Sequence, residues 1–80
     1  MLIELEISEK LVGIKQSKKA IKDNKAKKVF IASNAQEYIL QPIIDDCVAN
    51  GIPIERVATM AELGKACGID VGAAIAVLLK

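Results

Sequence analysis

The sequence predicts a three-layer α/β/α sandwich on a small mixed sheet, an expectation that rests on three observations. Apolar segments short enough for strands alternate with segments of helical spacing, in the order strand, helix, strand, helix, strand. Residues 73–79 are apolar throughout, as a strand buried on both faces requires, so this strand should be central. The chain has 80 residues, 52 % of them hydrophobic, with one Phe, one Tyr and no Trp, so one small domain must close over an aliphatic core. Crossovers between neighbouring parallel strands should be right-handed.

The first dozen residues fit two patterns. Ile3, Leu5 and Ile7 alternate with Glu4, Glu6 and Ser8 like a strand, whereas Leu2, Leu5, Ile7 and Leu11 could share one face of a helix. We read this segment as a helix, broken at Gly13. A polar helix should follow from about Gln16 to Lys22, with Lys15, Lys19 and Lys22 on one side and Ala20 and Ile21 turned to the core.

Val29-Phe30-Ile31-Ala32 reads as a compact strand, with Ser33 and Asn34 as caps for the next helix. That helix carries apolar pairs at Ile39/Leu40, Ile43/Ile44 and Cys47/Val48. Pro42 should either kink it or open a second segment. Asn50-Gly51 ends it, and Ile52-Pro53-Ile54 leads into a strand reaching about Val57. Thr59 and Glu62 form a capping-box pair for a short helix, Met60 to Cys67, which stops at Gly68. The apolar strand closes the domain.

The net charge of +1 conceals a strong asymmetry. Residues 10–28 hold eight lysines against one acid, Asp23, while Glu4, Glu6, Asp45, Asp46, Glu55 and Glu62 lie elsewhere. Such a division is either the footprint of a polyanion site or a solvated lysine-rich helix. The scarcity of aromatic residues argues against base stacking as the means of holding a single strand.

Enzymatic chemistry finds little support. There is no histidine, and Cys47 and Cys67 do not form a CxxC pair, so metal binding and Cys–His catalysis are not indicated. Both cysteines sit among apolar residues, as buried, reduced thiols do; with no secretory signal, this fits a cytoplasmic protein. The longest apolar run, residues 71–79, is about half of what a membrane-spanning helix needs. Leu63-Gly64-Lys65-Ala66 looks like the end of a P-loop, but Thr59 replaces the upstream glycine and Ala66 the hydroxyl residue that would hold magnesium. Gly64, Gly68 and Gly72 recur every four residues; Gly68 reads as a helix stop and Gly72 as a turn before the last strand. Neither an acid–base pair nor an activated nucleophile is visible, and no cofactor is implied.

The remaining signal is Gly13-Ile14-Lys15-Gln16-Ser17-Lys18-Lys19, a glycine turn opening into a lysine-rich helix start that suits phosphates and base edges. Together GIKQSKKAIK (residues 13–22) and LGKACGIDVGAA (residues 63–74) resemble the kink-turn-binding ribosomal-protein family. This family includes the archaeal L-seven-Ae and eukaryotic L-thirty-e proteins, and the first segment is most similar to its small bacterial members. The Pro42-Ile43-Ile44 step, Cys47 and Gly51-Ile52-Pro53 extend the resemblance along nearly the whole chain.

The resemblance implies the same sandwich and a non-enzymatic role: binding RNA kink-turns, where a bulge followed by sheared G·A pairs bends the duplex. It implies that Gly13 permits close approach, that Lys15 and Gln16 reach the G·A base edges, and that Lys19 contacts phosphate. Lys22 would add uniform attraction. Ile69, Asp70 and Val71 would pack against the bulge nucleotides, and Asn34 would lie near RNA. Archaeal and eukaryotic members have Asn-Glu where this chain has Lys15-Gln16, so hydrogen-bond roles at the guanines do not transfer unchanged. The expected partner is ribosomal or regulatory RNA, with the free protein a monomer away from membranes; a protein-interaction module on the same fold is the alternative.

Overall fold

The computed structural model describes residues 8–80. Four strands and three helices follow in the order β1 (Lys10–Val12), α1 (Ile14–Lys22), β2 (Ala26–Ala32), α2 (Glu37–Asn50), β3 (Ile54–Val57), α3 (Met60–Ala66) and β4 (Ile75–Leu79). The sheet order is β1-β4-β2-β3. β4 runs antiparallel to both neighbours, and β2 and β3 are parallel, joined by the crossover helix α2.

Period-two alternation in the two inner strands builds both cores at once. Val29, Ile31, Ile75 and Val77 face α1 and α2, packing with Ala20, Ile21, Leu40, Ile43 and Cys47. Phe30, Ala32, Ala76 and Leu78 face α3, packing with Leu63, Ala66 and Cys67. The expected three layers and mixed sheet are therefore present. The apolar strand does lie inside the sheet, and it shares that position with β2.

Three local expectations are corrected. Residues 10–12 form an edge strand bonded to β4, because pairing with a buried strand outweighs an ambiguous local pattern; the helix reading of residues 1–7 lies outside the described residues. Ser33 and Asn34 do not cap α2, which starts at Glu37 behind Gln36, with no side-chain cap. The helix runs on through Pro42 as one element, the proline sitting exposed on its outer side.

All three helices end in the same pattern. Lys25, Ile52 and Ile69 donate their N–H to the carbonyls of Ala20, Cys47 and Gly64, past left-handed residues at Asn24, Gly51 and Gly68. This is the Schellman arrangement, satisfying carbonyls that a helix end would otherwise leave unpaired. At Gly68, with φ at 79°, it turns the chain sharply from α3 into residues 69–74.

Candidate nucleic-acid interface

The strand register brings the distant sequence segments to one end of the sheet. Val12 pairs with Ala76, Ile31 with Ile75 and Ala32 with Val57, so the C-terminal ends of β1, β2 and β3 lie level with the start of β4. Residues 13–16, 33–36, 58–60 and 69–74 therefore cluster there, and each helix begins at that end. The positive ends of their dipoles thus face the same way.

Gly13 organises the first part. Its N–H donates to the Ile75 carbonyl at 3.0 Å and its own carbonyl accepts the first helical bond, from Ser17, at 3.1 Å. Its φ of 109° and ψ of 161° lie where side chains are strained, and the space beside it is open. Among the described residues no side chain caps α1, and its first turn has no acid, so N–H groups at the helix start stand open beside Lys15 and Gln16.

Ser17, Ala20 and Ile21 form the buried side of α1. Helical steps of about 100° place Lys15, Lys19 and Lys22 on the opposite side, as expected from sequence. Gln16 and Lys19 also border a cleft of about 300 Å³ with Leu11, Lys25 and Leu79. Lys22 is different: it stands seven residues after Lys15, about 10 Å along the axis. With Lys18 it lines a groove shared with Asp46 and Asn50 of α2. The fold thus brings Gly13, Lys15 and Gln16 to the sheet end, sets Lys19 further along α1 at the cleft with Lys25 and Leu79, and leaves Lys22 on the flank.

Not every lysine in the basic segment joins this surface. Lys28 bonds Glu55 at 2.7 Å across β2 and β3 and lies 5.1 Å from the Phe30 ring centroid. The Lys28 ammonium holds the Glu55 carboxyl below its usual value. These contacts place Lys28 on the α3 side of the sheet.

Residues 69–71 divide by burial. Ile69 is half-buried against the α3-side core and anchors the loop, whereas Asp70 and Val71 are exposed, Val71 to 69 %. Asn34 is exposed and accepts the Met60 N–H at 2.8 Å, capping α3 rather than α2. Thr59 supplies the second cap, its hydroxyl accepting from Glu62 N–H at 3.1 Å.

Sequence reasoning missed the role of Gly64. A side chain there would run into the Val71 carbonyl, so the glycine lets the loop backbone lie directly on α3. The four-residue glycine spacing was visible, but the close approach depends on a tertiary contact. Cys47 and Cys67 are buried on opposite sides of the sheet. Burial, helped by the Asp46 charge, pushes the Cys47 thiol up to about 11. Burial raises Cys67 too, against the opposing charge of Lys10. Among the described residues no cluster of His, Cys, Asp or Glu could hold a metal, and no helix is long and apolar enough to cross a membrane.

The model of the Ribosomal protein L7Ae/L30e/S12e/Gadd45 family matches residues 6–80. The chain belongs to this family. A relative, an RNA-binding protein of Caldanaerobacter subterraneus subsp. tengcongensis, is 46 % identical over 67 residues, covering 84 % of this chain and 82 % of that protein. RNA-binding protein YbxF of Geobacillus stearothermophilus is 33 % identical over 76 residues, covering 95 % and 93 %. In fold the chain is similar to the Giardia lamblia 15.5kD RNA binding protein, with a TM-score of 0.88 at 24 % identity over 99 % of this chain and 68 % of that one. A Bacillus halodurans protein of unknown function has a TM-score of 0.89 at 23 % identity, covering 99 % and 83 %. Both curated relatives, of Caldanaerobacter and Geobacillus, are named as RNA-binding proteins.

Proposed function

We propose that this protein binds kink-turn RNA, in ribosomal or regulatory RNA, through the end of the sheet where α1 begins. The observation that carries the reading is the convergence there of Gly13, Lys15 and Gln16 with the exposed part of the loop at Asp70 and Val71, Lys19 following one turn along α1. The uncapped start of α1 suits phosphate, and the Gln16 amide can both donate to and accept from base edges. Lys15 and Lys19 would neutralise phosphates and supply salt-sensitive affinity. Val71 would cover an unstacked nucleotide, and Asn34 would lie beside the RNA.

Membership of the family and the RNA-binding names of its relatives support this reading. We further place the protein in the cytoplasm, associated with ribosomes or other ribonucleoproteins, as a monomer when free.

A gel-shift titration with a kink-turn RNA and the same RNA lacking its G·A pairs tests the proposal. Tighter binding of the intact kink-turn is expected. Equal affinity for the two would overturn it and favour a protein-interaction module on this fold.

A further inference from the structure

Asn34 and residues 69–73 are far apart in sequence, yet α3 connects them. The Asn34 Oδ1 accepts the N–H of Met60, the first residue of α3, at 2.8 Å. The carbonyl of the same Met60 accepts the N–H of Ala73, at the end of the loop, at 3.0 Å. A side chain at Gly72 would stand only 3.1 Å from the Met60 Cβ, so the loop backbone also rests on this residue. One turn further on, the Val71 carbonyl lies against Gly64, and Gly64's own carbonyl accepts the Ile69 N–H at 3.1 Å.

We propose that Asn34 is a positioning residue: it fixes the start of α3, and α3 holds residues 69–73 at the height where Val71 meets RNA. This inference rests on the RNA-binding reading for its consequence, but not for its structural half. The Asn34 Oδ1 already accepts the Met60 N–H, so its part in the interface runs through the loop that α3 supports. A loop already held in place loses little freedom on binding, which favours affinity without a new contact. Val71 is the beneficiary, being the exposed apolar residue of the loop.

The test uses Asn34→Ala and Asn34→Asp. Aspartate keeps an oxygen that can cap Met60, whereas alanine removes it. In the free protein, amide hydrogen exchange at Ala73 should accelerate about tenfold in Asn34→Ala, the equivalent of one lost cap, and return towards wild type in Asn34→Asp. With kink-turn RNA, Asn34→Ala should bind about tenfold more weakly, in step with the loosened loop. Unchanged exchange at Ala73 in Asn34→Ala would overturn the proposal, as would wild-type RNA affinity in a variant whose exchange at Ala73 is accelerated. The exchange measurement needs no RNA, so failure of the strut and failure of RNA binding are read separately.

Discussion

The N–H of Gly13 donates to the carbonyl of Ile75 at 3.0 Å, joining the start of α1 to the strand that follows residues 69–74. This bond makes the two halves of the proposed interface neighbours. It forms because β1 and β4 pair antiparallel, so the chain leaving β1 passes the chain entering β4. A basic helix start and an exposed valine, separated by more than fifty residues, thereby become one surface.

Gln16 and Lys22 should behave differently on substitution. Gln16 sits in the first turn of α1 at the sheet end, whereas Lys22 lies on the flank beside Asp46. Gln16→Ala should erase most of the preference for intact G·A pairs, a loss of about 1–3 kcal/mol in discrimination. Lys22→Ala should weaken kinked and straight duplexes alike and lower the salt slope by about one. Parallel titrations of both variants on both RNAs check this division.

Gly64→Ala should destabilise the fold by about 1–3 kcal/mol, because the added methyl group meets the Val71 carbonyl, which is backbone and cannot rotate away. Urea unfolding measures the loss. RNA affinity should fall with it, as the loop is pushed off α3.

Ser17 should respond in the opposite direction. Its hydroxyl is fully buried beneath α1 and has no hydrogen-bond partner among the described residues. Ser17→Ala removes that cost and should stabilise the protein by about 1 kcal/mol. For a domain of this size the melting temperature would rise by about 4–8 °C. Differential scanning calorimetry of the variant checks it, and a lower melting temperature would contradict it.

Alkaline pH should act through Cys47. Its thiol ionises near 11 in the folded protein, against 9.0 for an unburied group, because burial disfavours the thiolate and Asp46 repels it. Between those values the unfolded chain gives up a proton that the folded chain keeps. Cys47 therefore contributes stability that is complete below pH 9 and lost as pH rises through about 11. Urea midpoints from pH 8 to 11 should fall more steeply for wild type than for Cys47→Ala, and equal slopes would contradict this origin.

The sequence was most legible where period and local chemistry agree. The compact apolar run Val29–Ala32, the Asn50-Gly51 stop and the Thr59–Glu62 cap all depend on neighbours in the chain, and each appears as expected. Residues 10–12 were misread because a three-residue edge strand takes its conformation from β4, not from its own pattern. Asn34 was assigned to the nearer helix; its partner, Met60, is 26 residues away, and no local rule specifies that cap. Lys28 looked like part of the basic surface until its strand register set it against Glu55 and Phe30. The candidate site itself was legible in residue type, from the glycine turn and the lysines. What the sequence left hidden was the shared sheet end, the anchoring of Ile69 and the support that α3 gives the loop.

The most direct test is an NMR titration of the isotope-labelled protein with kink-turn RNA. Backbone amide shifts should concentrate at residues 13–16, 33–36, 58–60 and 69–74, the segments gathered at the sheet end. Residues 23–25, 50–53 and 79–80, at the opposite end, should stay close to their free positions. Shifts centred on the opposite end, or on the outer side of α2 around Tyr38 and Val48, would contradict recognition at the sheet end.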